Sequence, residues 1–135
     1  MVLSSGPILG ALVDHLRAGG GITGIYDGPQ MRNVEGAWRG SKTSGAKLAS
    51  WNVVKRHLVA KASTPYTPTG VHDFMHNKLL VTSKVVLTGS FNLSRNAESN
   101  AENVLSIHDP KLAGSYVRYI DSLVQMYTVR RSKAA

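Results

Sequence analysis

The 135-residue chain has no cysteine, which excludes disulfides, thiolate metal sites and a cysteine nucleophile and leaves any chemistry to His, Ser, carboxylate or Lys. No apolar run approaches the roughly 18 residues of a membrane span, and the N-terminus lacks the charged start and apolar stretch of a signal peptide. The chain as given reads as soluble, with its compartment undetermined, because absence of cysteine is compatible with either redox environment. Internal repeats and low-complexity tracts are also missing. Acidic residues are scarce: 8 Asp and Glu against 16 Lys and Arg leave a formal charge of +8, which favours polyanionic partners such as nucleic acid or acidic lipid head groups. What is present is ordinary for one globular domain. With 42% hydrophobic and 18% charged residues, a packed core can form, and two complete domains do not fit in this length.

Hydrophobic spacing predicts an α/β chain. Ile8, Leu9, Leu12, Val13 and Leu16 recur at helical spacing after Pro7, with Ser4 and Ser5 as capping residues and Gly19 to Gly21 as the stop. Ile22 to Asp27 alternates and stops at Gly28 and Pro29, which predicts a short strand. Residues 28–45 are rich in Gly, Ser and basic residues and weak in periodicity, so a long basic surface loop is expected there. Lys47 to Val59 places Leu48, Trp51, Val54 and Leu58 on one helical face. Pro65 and Pro68 then impose an extended connector. Strands are predicted at Lys78 to Val81, Val85 to Thr88 and Glu102 to Ile107, with a helical turn around Ser94 to Glu98. A last amphipathic helix carries Leu112, Tyr116, Ile120, Leu123 and Tyr127. The fold class expected is α/β, a mixed β-sheet flanked by helices.

The chemistry-bearing residues cluster in the second half. In extended chain, His76 and Lys78 project from one face and Asn77 from the other, so an imidazole stands beside a fixed positive charge. Gly89 permits a tight turn after which Ser90 and Asn92 offer a hydroxyl and an amide donor, suitable ligands for a phosphate. Glu102 opens the next strand, where it could accept a hydrogen bond from the far nitrogen of His76 and set its tautomer. His72 and His76 are four apart, as in a helical zinc pair, but the extended context and the absence of HExxH argue against zinc. Asp27 and Asp73 stand alone, without a paired carboxylate nearby in sequence.

His76-Asn77-Lys78, then Gly89-Ser90-Phe91-Asn92, then Glu102-Asn103, resembles the HKD motif of the phospholipase D superfamily. Gly6 to Asp27, a helix followed by a glycine-led strand ending in Asp, is similar to the segment that precedes the motif in each half-domain of that family. The resemblance implies a phospholipase D-like half-domain and a metal- and cofactor-independent phosphodiesterase. A strand histidine attacks phosphorus to form a phosphohistidine, and the histidine of a second motif protonates the leaving group. On that reading His76 is nucleophile or general acid, Lys78 and Asn92 bind phosphate oxygens, Ser90 helps hold the phosphate and Glu102 orients His76. The substrate is a phosphodiester of phospholipid or nucleic acid.

Two departures from the family pattern qualify the expectation. Ser83 occupies the position, five residues after Lys78, where the family has aspartate. Only one HxK pattern is present, since His15, His57, His72 and His108 lack a lysine two residues later. The partner motif is therefore expected from another chain or from further sequence. Met1 to Ser4 resemble the end of a strand that precedes the first helix in a complete family half, so the single domain 1–135 is expected to be N-terminally incomplete and to belong to a longer two-motif chain. A single-motif homodimeric endonuclease is the alternative arrangement. A catalytically impaired phosphate- or nucleic-acid-binding module is the competing class.

Overall fold

In the computed structural model the described residues are 2–64, 67–73, 75–94, 97 and 99–132, the last three as backbone only. Their element order is α1 (Gly6–Arg17), β1 (Ile25–Asp27), α2 (Gly28–Arg39), α3 (Gly45–Val54), a 3-10 turn (Lys55–His57), β2 (Val59–Lys61), β3 (Leu79–Val81), β4 (Val85–Gly89), β5 (Val104–His108) and α4 (Pro110–Ser132). The architecture is mixed α/β, with two small sheets flanked by helices. β1 and β2 pair in parallel, Asp27 opposite Lys61. β3, β4 and β5 form an antiparallel sheet in that order, Leu80 opposite Leu87 and Leu87 opposite Ser106. α4 packs against both sheets. The turn expected around Ser94 to Glu98 and the connector residue Pro65 lie partly or wholly outside the described residues.

The main core is made by the first three helices. Leu9 and Val13 of α1, Met31 and Trp38 of α2, and Trp51 and Val54 of α3 are buried together with Leu3. Trp51 meets the Tyr26 ring edge-on, with centroids 5.0 Å apart at 90°. Its indole N–H donates to Glu35 Oε1 at 2.6 Å, and Glu35 also accepts from Arg39 at 2.9 Å and Lys55 at 3.2 Å. Burial opposes the Glu35 charge, but the bonds from Trp51 and Lys55 and the nearby cations outweigh it and hold the carboxyl below its ordinary pKa.

The surface loop expected over 28–45 is a helix for most of its length, α2. Asp27 caps it, its Oδ1 accepting the Gln30 N–H at 2.9 Å, and Pro29 sits in the first turn, where its missing N–H costs nothing. Met31, Glu35 and Trp38 then fall at i, i+4 and i+7 on the buried face. A carboxylate in the middle of that face broke the apolar pattern from which the helix would have been read. The helix expected over Lys47 to Val59 ends at Val54 and tightens into the 3-10 turn at Lys55–His57, after which Val59 to Lys61 form β2 by finding backbone partners on β1. At the other end of the chain Asp109 Oδ1 accepts the Lys111 and Leu112 N–H groups at 2.8 and 3.0 Å, starting α4 at Pro110. Among the described residues no helix is long and apolar enough to cross a membrane.

Gly89 ends β4 with φ of +150°, and a Cβ there would lie 2.3 Å from the Asn103 carbonyl oxygen. Gly89→Ala is therefore expected to cost more than about 1 kcal/mol, since it combines backbone strain with a clash against main chain. Chemical denaturation of parent and variant checks this. A second expectation concerns acid. With its folded-state pKa lowered, Glu35 contributes stability that is fully present above the ordinary glutamate value of about 4.3 and is lost as pH falls towards the lowered value. Glu35→Gln should lower Tm at neutral pH and flatten its decline on acidification, as followed by thermal unfolding across pH.

Candidate active site

Two polar assemblies flank the segment that carries His76. The first lies at the carboxyl ends of β1 and β2, the side of an α/β sheet where ligands commonly bind. Asp27 is fully buried. Besides capping α2, it accepts the Ser63 hydroxyl on Oδ2 at 2.5 Å and the Met75 N–H on the same oxygen at 3.3 Å. Burial opposes its charge, yet these bonds from Ser63, Gln30 and Met75 prevail and hold its pKa below the ordinary carboxylate value. Lys61, opposite Asp27 in the register and only 4% exposed, donates to the Asp73 carboxylate at 2.6 Å, to the Asp73 carbonyl at 2.5 Å and to Ser63 at 3.4 Å. Thr64 N–H donates to the same carbonyl at 3.2 Å.

The second assembly joins the ends of β4 and β5. The Ser90 hydroxyl donates to Glu102 Oε2 and accepts the Asn103 N–H at 3.0 Å. Ser90 N–H in turn donates to Asn103 Oδ1 at 2.9 Å and to its carbonyl at 3.2 Å. The absence of a side chain at Gly89 is what lets the two main chains approach this closely. Lys78 is buried just ahead of β3, lining an apolar cleft of about 230 Å³ with Phe91, Thr88 and Val104. Burial lowers its pKa from the ordinary lysine value, and the negative charge of Glu102 offsets part of that effect. Its ammonium donates to the His76 carbonyl at 2.9 Å.

Lys78, Ser90 and Glu102 are thus brought together, the first through the electrostatic field and the other two through a hydrogen bond. His76 is exposed in the extended segment before β3, and its main chain is what Lys78 grips. Asn77 points to α4, its amide donating to the Tyr119 hydroxyl at 3.2 Å. Asn92 is half-buried, and its carbonyl accepts the Ser94 N–H at 2.7 Å. One oxygen of the Glu102 carboxylate, Oε2, is engaged by Ser90. Ser83 is exposed in the turn at the far end of β3 from Lys78. Such an array sets one ammonium, which holds the His76 carbonyl, in the field of a serine–glutamate pair, and an ammonium and a hydroxyl are groups that can stabilise negative charge on an oxyanion.

The Asp27, Lys61, Ser63 and Asp73 cluster escaped the sequence reading, in which Asp27 and Asp73 stood alone. Its parts are separated by up to 46 residues and meet only through the strand pairing. A signal did exist: Lys61 follows Val59 and Ala60 directly, a cation at the end of an apolar stretch. The basic stretch Gly28 to Lys61 is also altered by the fold. Arg39 and Lys55 are bound to Glu35 and Lys61 to Asp73, whereas Arg32, Lys42 and Arg56 are exposed.

Comparison with known proteins supplies independent evidence. The family model described as "Cardiolipin synthase, PLD-like domain" matches residues 1–124. Phospholipase D of Rickettsia conorii is 39% identical over 66 residues, which is 47% of this chain and 33% of that protein. Phospholipase D of Rickettsia prowazekii is 51% identical over 50 residues, 36% of this chain and 24% of that protein. The matches therefore span a third or less of these relatives' length. The crystal structure of a phospholipase D family member, Nuc from Salmonella typhimurium, superposes with a TM-score of 0.57 at 24% identity, covering 89% of this chain and 70% of that one. That likeness supports the fold, and the family-model match along most of the chain places the protein in the phospholipase D-like superfamily.

Proposed function

We propose that the chain is one half of a phosphodiesterase of the phospholipase D type, cleaving phosphodiester bonds through a phosphohistidine. The observation that carries this reading is the buried Lys78 in the field of Glu102, which itself holds Ser90, next to an exposed His76. One imidazole nitrogen of His76 attacks phosphorus as the P–O bond to the leaving alcohol breaks. The histidine of the second motif donates the proton that the alcohol carries away. Water then cleaves the P–N bond, giving its proton to the second motif's histidine and returning both histidines to their starting state. Lys78, Ser90 and Asn92 stabilise charge on the phosphoryl oxygens. Glu102 acts through Ser90 and through its effect on Lys78.

The missing motif comes from a longer chain or from a second copy. Phospholipid is the first substrate class to test, because the Rickettsia relatives carry the name phospholipase D. Internal ion pairs also use Arg39, Lys55 and Lys61, which thins the basic stretch that would otherwise attract nucleic acid. Ser83 in place of aspartate favours a second reading, an impaired phosphate-binding module.

Hydrolysis of bis(p-nitrophenyl) phosphate in the presence of chelator separates the readings. The protein in its verified full-length or dimeric form should turn over, and His76→Ala should lower kcat by roughly 10²- to 10⁴-fold. No turnover, or equal turnover by the variant, sinks the enzyme; loss on adding chelator sinks the metal-free route. Substrate class is checked with phosphatidylcholine vesicles against DNA. Release of head group with little DNA binding is expected; DNA affinity that falls steeply with ionic strength and is indifferent to sequence would reverse the assignment.

A further inference from the structure

We propose that Asp27 and Lys61 are positioning residues that clamp the main chain carrying His76 to the carboxyl ends of β1 and β2. An exposed helix cap needs one carboxylate oxygen. Asp27 is fully buried and commits its second oxygen to Ser63 and to the N–H of Met75, the residue immediately before His76. Lys61 grips the same segment two residues earlier, through both the carbonyl and the carboxylate of Asp73, and Thr64 N–H takes that carbonyl too. On the far side of His76 the chain is held again, by Asn77 on Tyr119 and by Lys78 on the His76 carbonyl.

The energetics point the same way. A buried ammonium facing a carboxylate whose side chain is 56% exposed gains little net stability, because desolvation cancels most of the attraction. What the contact does supply is geometry, since a carbonyl held by two donors cannot rotate freely. His76 thus projects from a short span tied at both ends to different parts of the fold, β1 and β2 before it and α4 after it. Attack on phosphorus requires the imidazole within a few tenths of an ångström of its reactive placement, and a displacement near 1 Å can cost about 100-fold in rate. Placement by Asp27 and Lys61 deepens the proposed function and rests on it for the role of His76; the anchoring itself does not.

Two variants test the clamp in the full protein. Asp27→Asn retains one carbonyl oxygen, so either the α2 cap or the Met75 bond survives, but not both. Asp73→Ala removes the carboxylate partner of Lys61 and leaves the Asp73 carbonyl to accept from Lys61 and Thr64. For each, kcat on bis(p-nitrophenyl) phosphate should fall roughly 10- to 100-fold with KM within about twofold. Hydrogen exchange should show the Met75 amide losing protection in Asp27→Asn, and the His76 ring resonances, assigned by their loss in His76→Ala, should move in both variants. Unchanged Met75 protection and ring resonances would overturn the clamp, as would altered resonances with unchanged kcat. If the parent itself has no turnover while amide and ring respond as expected, the enzymatic reading falls and the clamp stands.

Discussion

A carboxylate without exposed surface must find donors for both of its oxygens or lose its charge. Asp27 meets that requirement by drawing donors from three separate parts of the chain: the first turn of α2, Ser63 just past β2, and Met75 ahead of β3. One side chain thus starts a helix, closes the end of the parallel pair and holds the chain four residues ahead of the second sheet's first strand. Lys61 repeats the pattern from the neighbouring strand with opposite charge. Among the described residues no strand is shared between the two sheets, and they are related by these side-chain contacts, by the backbone bridges Thr64–Asp73 and Leu3–Leu93 and by the packing of α4 against both.

The other end of the reactive segment depends on close main-chain approach rather than on charge. Gly89 opposes Val104 at the end of the antiparallel pair, and the contact of its backbone with Asn103 leaves no room for a side chain. Ser90 follows at once and exchanges hydrogen bonds with Asn103 while its hydroxyl takes Glu102. Through this arrangement two short motifs separated by a dozen residues become one surface. Lys78 enters it from just ahead of β3, in an environment apolar enough to weaken its hold on a proton and anionic enough to restore part of it.

Charge is partitioned in a way that composition does not reveal. The formal +8 suggests a continuous basic face, yet Glu35 gathers Arg39 and Lys55 around the Trp51 indole. Those cations serve the packing of α2 against α3. Lys78, beside the proposed chemistry, is a buried ammonium, whose influence on a phosphate would owe more to its low-dielectric surroundings than to the protein's net charge.

Local patterns were legible wherever one element explained itself. The alternation ending at Asp27, the hairpin around Thr82 to Lys84, and the steps from Leu112 to Tyr127 each carry their own periodicity and punctuation, and the family motif could be read as residue types in order. Illegible were the features whose cause lies elsewhere in the chain. α2 hid behind Glu35, because a carboxylate on a buried face is intelligible only once Trp51 and Lys55 are known to reach it. β2 hid because three residues become a strand only when β1 lies beside them. By itself the sequence determined the mixed α/β class and the superfamily, since periodicity and motif order survive without coordinates. Tertiary structure alone decided that Glu102 meets Ser90 and that Asp27 and Lys61 hold the His76 segment, because a hydrogen bond depends on distances of about 3 Å, and residues dozens of positions apart acquire such distances only when the strands between them pair.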